Sequence, residues 1–350
     1  MRPAPYVKEG AHGLQGAILW GPLLGLLGLL LSCQGALGQM PEEAAEGREG
    51  SARIASPSST PEAPALPEMA QVDAERQDGL VEGADAVPWD RYAWLAEHFP
   101  DATPLSLRTR FASPPGYTRL TVAEGSFAEW LRYLPVREDP QVYAYDGRPL
   151  QAPAAAVVLL DVGDRDLQQC ADAIIRLHAE YLWSSGQFAA IAYHFTNGVR
   201  SAWLAWADGE RFAKIDGRLR GVSKAKKDHG RAAFRAYLQH LFIYAGTRSL
   251  PKDARALAEE EALRPGDFFN QAGSPGHAVL ILDIAVDAAG HQVALLGQSY
   301  MPAQDFHVLT SSAADVVDGI WFPLPVGALA VLRTPSWAPF SRADAYRLPE

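Results

Sequence analysis

Residues 34–88 contain no sustained apolar period, so whatever folds in this chain must be built from the residues on either side of them. The tract is rich in Ala, Glu, Pro, Ser and Gly, as in Ser56-Pro57-Ser58-Ser59-Thr60-Pro61. Such a composition cannot bury enough apolar surface to offset its ordering entropy, which predicts a disordered acidic tether. It also concentrates charge. Of the chain's net -10, the tract holds -8, from 11 acidic and 3 basic residues, and residues 1–33 hold +1. That leaves -3 for residues 89–350, which removes any net-charge argument for nucleic acid as a partner.

On the N-terminal side, Arg2 and Lys8 precede an apolar run at residues 17–31. The run is too short for a comfortable membrane span and has the length of a signal-peptide core, so export is the expectation. It ends Leu30-Leu31-Ser32-Cys33, which resembles a bacterial lipobox. That resemblance implies cleavage before Cys33, lipidation of its thiol and attachment to a membrane through the lipid. Gln34 stands where an Asp would signal inner-membrane retention; by resemblance to Gram-negative sorting, this points to an outer-membrane lipoprotein facing the periplasm. Ordinary signal cleavage at the small-x-small site Ala36-Leu37-Gly38 is the alternative.

On the other side, residues 89–350 show neither a second linker nor an internal repeat, and the chain's 48% hydrophobic content is ample for one core. Residues 89–99 have helical spacing and stop at Pro100. Residues 117–123 alternate like a strand, and Ser126-Phe127-Ala128-Glu129 is a capping box opening a helix that ends before Pro135. Residues 154–162 suit a buried strand. Helical periodicity then runs over residues 166–182, with Leu167, Cys170, Ile174, Leu177 and Tyr181 on one face. Strands are expected at 188–195 and 201–206, and helices at 231–244 and 251–263. Beyond these, strands are expected at 278–284, 293–296 and 326–332. The order predicts an α+β fold: a single domain with an antiparallel or mixed central sheet and packed helices.

With Cys33 acylated or removed, Cys170 is the one remaining thiol, either a small buried hydrophobe or a group kept for its reactivity. Reactivity needs the thiolate, which a helix N-terminus favours, together with a base and a third group that orients the base. His277 opens a strand after the turn Gly273-Ser274-Pro275-Gly276 and is the best-placed base. Gln298, at the end of the neighbouring strand, is the orienting candidate. The bland alternative for His277 is a satisfied histidine at a strand end. His307, in the loop after Gln298, is an alternative partner for Cys170. The Cys170 backbone N–H, with Gln168 or Gln169, would stabilise an oxyanion.

A cysteine at a helix start, then a histidine and a polar residue on successive strands, resembles the papain-like cysteine hydrolases, in particular the NlpC-type cell-wall endopeptidases. Arg264-Pro265-Gly266-Asp267-Phe268-Phe269 and Gly276-His277-Ala278-Val279 are similar to their Pro-Gly-Asp strand entry and histidine strand. The resemblance implies a papain-like fold and an amide-cleaving thiol. A longer resemblance is to a bacterial family known as domain of unknown function 4846. It is carried by Asp164-Arg165-Asp166-Leu167-Gln168-Gln169-Cys170-Ala171-Asp172-Ala173, Tyr244-Ala245-Gly246-Thr247, Ser274-Pro275-Gly276-His277-Ala278 and Gln298-Ser299-Tyr300-Met301-Pro302-Ala303-Gln304. That family implies no established activity.

Other patterns are weaker. Asp161, Asp164 and Asp166 crowd one loop and could bind a cation or divide acid and base roles, but their spacing fits turn formation and helix capping better. No His-Glu-x-x-His spacing and no Gly-rich phosphate loop occurs, so no metal and no cofactor are expected. Arg218, Arg220, Lys224, Lys226, Lys227, Arg231 and Arg235 form a basic stretch that reads as a solvated loop and helix start, or as a contact for anionic envelope polymer. Trp183, Trp203 and Trp206 fill a core or line a groove. The expected function is a cysteine hydrolase of the cell envelope acting on an amide bond such as a cell-wall peptide. The alternative is a non-catalytic envelope lipoprotein that binds peptide, glycan or protein in the same cleft.

Overall fold

The structure, a computed structural model, describes residues 87, 89–222, 225–327 and 329–350. Cys33, the apolar run at 17–31, the alternative cleavage site and nearly all of the acidic tract lie outside the described residues. Six helices occur among those described: α1 (Trp94–His98), α2 (Leu107–Arg110), α3 (Phe127–Arg132), α4 (Cys170–Ser184), α5 (Trp203–Ala207) and α6 (Arg231–Phe242). Ser126 caps α3 as expected, its hydroxyl accepting from the Glu129 N–H at 3.2 Å.

The central sheet has eleven strands: β1 (Leu105–Ser106), β2 (Tyr117–Arg119), β3 (Pro135–Arg137), β4 (Ala154–Val158), β5 (Arg255–Ala256), β6 (Asp267–Gln271), β7 (His277–Asp287), β8 (Gln292–Gln298), β9 (His307–Leu309), β10 (Trp321–Pro323) and β11 (Ala345–Arg347). Its order is β1-β3-β4-β9-β8-β7-β6-β11-β5, with β10 also on β8 and β2 also on β7. Every pairing in it is antiparallel, and with its helices it forms a single α+β domain.

The long strand β7 explains the layering. Ala278, Leu280 and Leu282 pack into one apolar cluster with Ile174 and Leu177 of α4, while Val279 and Ile281 pack into a second with Phe269 and Phe340. Alternation places successive side chains on opposite faces, so a strand buried on both reads as a continuous apolar run. A bulge between Ile281 and Asp283 reverses the parity: Ile284 joins the second cluster and Ala285 the first. Asp283, just after the bulge, is fully buried, and Arg132 (2.6 Å) and Arg119 (2.7 Å) both pair with it.

Three sequence expectations are corrected. Residues 201–206 are a strand only at Arg200–Ala202; Trp203 then opens α5 and buries with Trp206 against Tyr237 of α6. The expected helix at 251–263 is instead a short 3-10 turn (Leu250–Lys252) and the edge strand β5, which pairs with β11. Residues 188–195 begin as a 3-10 turn (Phe188–Ala190) before a strand at Ala192–His194. At 255–256 pairing with a distant strand decides the outcome, whereas Ala192–His194 and Arg200–Ala202 pair with each other as a hairpin shorter than either expected strand.

Candidate functional site

Helix α4 starts at Cys170, several residues later than the periodicity suggests. The reason lies in what the preceding acids do. Asp166 accepts from the Ala303 N–H at 2.7 Å and from Gln169 Nε2 at 3.0 Å, so it ties two loops together and does not cap the helix. Asp161 accepts from Arg176 at 2.6 Å and Arg235 at 2.9 Å. Burial opposes its charge, but the two guanidiniums outweigh burial and hold its pKa down at about 2. Gln169 becomes the N-cap residue, its own N–H donating to Asp172 Oδ2 at 3.2 Å, and Cys170 is the first helical residue. Its N–H is thereby one of the orphan donors of the helix start, where the dipole favours negative charge.

The thiol rests against the mouth of β7. Cys170 Sγ lies 3.9 Å from the Gly276 carbonyl, the residue before His277, and the Ala278 N–H on the other side favours its thiolate form. Glycine at 276 keeps the preceding turn tight, since a Cβ there would collide with Thr247 Oγ1 and the Gly273 nitrogen. Burial, reinforced by the Asp172 carboxyl, pushes the Cys170 pKa up to about 11. Cys170 is thus a neutral thiol at rest.

His277 is fully buried, among Tyr300 (ring centroids 4.9 Å apart) and Trp337 (5.1 Å). Its Nε2 bonds Gln298 Oε1 at 2.8 Å, and its Nδ1 has no hydrogen-bond partner. Burial lowers its pKa to about 4 against the support of Gln298, so the imidazole is neutral. His277 and Gln298 thus pair across the β7 start and the β8 end, whereas Cys170 meets β7 only at its main chain: Ala278 packs on the α4 side of the strand, and His277, with the opposite parity, packs against Trp337 and Phe340. No hydrogen bond joins Cys170 and His277, and His277 and Gln298 do not line the cleft onto which Cys170 opens.

The other sequence candidates fall elsewhere. His307 lies opposite Gln298 in the sheet, 3.4 Å from its Nε2, and so joins the His277–Gln298 pair and not the thiol. Gln168 turns inward, donating to the Asp161 carbonyl at 3.1 Å and accepting from Arg176 at 3.2 Å, which removes it from an oxyanion role. Gln169 stays at the cleft. Arg231 and Arg235 of the basic stretch are tied to Glu180 and Asp161, and Arg218 sits on a hairpin formed by Arg211–Ile215 and Arg218–Val222. No group of three or more His, Cys, Asp or Glu able to hold a metal ion occurs among the described residues. Nor is any described helix long and apolar enough to cross a membrane.

Cys170 opens onto a cleft of about 520 Å³ whose walls include Gln169, Asp172, Thr247, Arg248, Gly276 and Met301. The four segments that carried the longer family resemblance therefore all reach one place. Sequence reasoning missed one residue of the cleft wall and one buried neighbour of Gln298. Asp172 is buried with its Oδ1 unpartnered, and burial raises its pKa well above the usual carboxylate range. Ser299, next to Gln298, donates to the Gln304 carbonyl at 2.8 Å. Only its place beside Gln298 signalled it.

Fold and site together define an antiparallel α+β protein with a helix-borne thiol against the main chain of the strand that also bears a histidine–glutamine pair. Residues 107–347, more than two thirds of the chain, match the family described as domain of unknown function (4846), and the chain belongs to that family. No curated protein and no solved structure matches it.

Proposed function

We propose that this protein is a thiol hydrolase of the bacterial cell envelope, anchored by lipid at Cys33 and cleaving an amide bond such as one in a cell-wall peptide. The observation that carries the reading is His277: its Nε2 is held by Gln298, and its Nδ1 is left unpartnered on the strand whose main chain touches Cys170 Sγ. In the mechanism, Cys170 Sγ attacks the substrate carbonyl while His277 Nδ1 takes the thiol proton. The Cys170 N–H holds the oxyanion, and the imidazolium returns the proton to the leaving amine as the C–N bond breaks. Water, deprotonated by the same imidazole, then hydrolyses the thioester and restores the thiol. Because thiol and imidazole are both neutral at rest, proton transfer accompanies attack and does not precede it.

Full-length wild type beside Cys170→Ala, incubated with cell-wall fragments and read by mass, tests this. Amide cleavage by the wild type alone is expected. Cleavage by both proteins, or by neither, sinks the hydrolase reading. The burial that pushes the thiol up to about 11 favours the second reading, an envelope lipoprotein that binds peptide or glycan in the cleft without cleaving it. Under that reading, fragments bind equally to wild type and Cys170→Ala and leave unchanged. Palmitate labelling that persists in Cys33→Ser would remove the anchor from either version.

A further inference from the structure

We propose that His307 is a positioning residue: acting through Gln298, it locks His277 in the tautomer whose Nδ1 is free to accept a proton. The inference rests on His277 being the base for Cys170. It starts from an atom with only one possible role. His307 Nδ1 lies 3.1 Å from the Asp305 carbonyl, and a backbone carbonyl can only accept, so Nδ1 carries the proton. In a neutral imidazole the other nitrogen is then an acceptor. Gln298, opposite His307 in the β8–β9 register, must turn its amide N–H₂ toward it; Nε2 stands 3.4 Å from His307 Nε2 and 3.4 Å from Ser336 Oγ, one acceptor for each proton.

The amide oxygen consequently faces His277, and an acceptor 2.8 Å from Nε2 requires the proton on Nε2. His277 Nδ1 is left as a lone pair, the state a base for a neutral thiol needs. Reversing the amide would aim two lone pairs at each other at the Asp305 carbonyl, or would require a charged His307. Burial disfavours that charge, lowering the His307 pKa to about 4. The close approach that makes the relay possible has its own device: a Cβ at Gly297 would strike the Phe306 ring, so glycine there lets β9 lie against β8 at this point.

Nitrogen-15 NMR of histidine-labelled, full-length protein at pH 7, with no substrate present, tests the relay. Opposite tautomers are expected, His307 protonated on Nδ1 and His277 on Nε2. The same tautomer in both rings, or a proton on His277 Nδ1, overturns the proposal. His307→Gln can still accept from Gln298 and donate to the Asp305 carbonyl, and should keep the His277 pattern. His307→Phe should give a mixture of His277 tautomers and slow alkylation of Cys170 at pH 7 by about tenfold. An unchanged tautomer and rate in His307→Phe would also overturn it, and if that variant does not fold, the wild-type spectrum decides. Failure of Cys170-dependent cleavage would remove the hydrolase reading without altering these spectra. Wrong tautomers beside intact cleavage would remove only the role of His307.

Discussion

Helix α4 carries two buried polar clusters that are built on opposite principles. Around its middle, Arg176 is fully buried yet charged, held by Glu180 at 2.8 Å and Asp161 at 2.6 Å, with Arg231 and Arg235 completing the outer side. At its N-terminus, the buried Cys170 thiol meets the main chain of β7, the strand whose His277 bonds Gln298 and through it approaches His307; the thiol and both imidazoles are uncharged. In the first cluster every charge meets its opposite, so protons are locked in place. In the second, burial pushes acid and base toward neutrality, and one nitrogen has no partner. Fully matched ions hold a structure, whereas neutral groups with a spare lone pair leave a proton free to move.

The widest contrast between the clusters should appear in activity. Cys170→Ala is expected to lower cleavage of a susceptible amide by about 10⁴-fold or more while shifting the unfolding midpoint little. Loss of activity that merely tracked loss of fold would erase the distinction. Next in size, Arg176→Ala leaves Asp161 and Glu180 without their shared buried cation and should cost about 3–5 kcal/mol of stability in urea unfolding. A cost under about 1 kcal/mol would mean that water enters the cluster.

Acid should separate the two regions by a smaller margin. His277, His307 and the buried His178 have folded pKa values of about 4, below the 6.5 of an exposed imidazole. At these three histidines the unfolded chain binds more protons between about pH 6.5 and 4, so their contribution to stability falls as the pH drops across that window and is level above it. Asp161, held at about 2, keeps its charge throughout. A melting temperature unchanged between pH 7 and 4.5 would contradict the neutral assignment. The smallest effect is expected at Asp172, whose carboxyl adds to the upward push on the thiol: Asp172→Asn should lower the Cys170 pKa and raise its alkylation rate at pH 8 by about threefold. A slower rate would mean that Asp172 assists the thiolate.

Much of this site was legible before the fold. The continuous apolar runs of β7 and β8 place His277 and Gln298 at the ends of paired strands, and helical periodicity places Cys170 near the start of α4. The helix start was misplaced by several residues because Asp166, a good cap by local rules, is engaged by the Ala303 N–H. His307 read as an alternative partner for the thiol. Its place on the far side of Gln298 follows from the β8–β9 register, which involves residues too few to show a pattern. Residues 251–263 looked helical because Leu257 and Leu263 both turn inward, but they do so from an edge segment that pairs with β11.

By itself, then, the sequence determined the α+β class, the hairpin that bears the histidine and the glutamine, and the amphipathic helix that bears the thiol. These follow from side-chain period, which is a property of neighbours along the chain. Only the tertiary structure decided that α4 begins at Cys170, that Gln168 turns away from the cleft, and that an obligate acceptor at Asp305 orients Gln298. Those outcomes depend on which distant donors and acceptors meet, and no local stretch of residues encodes that.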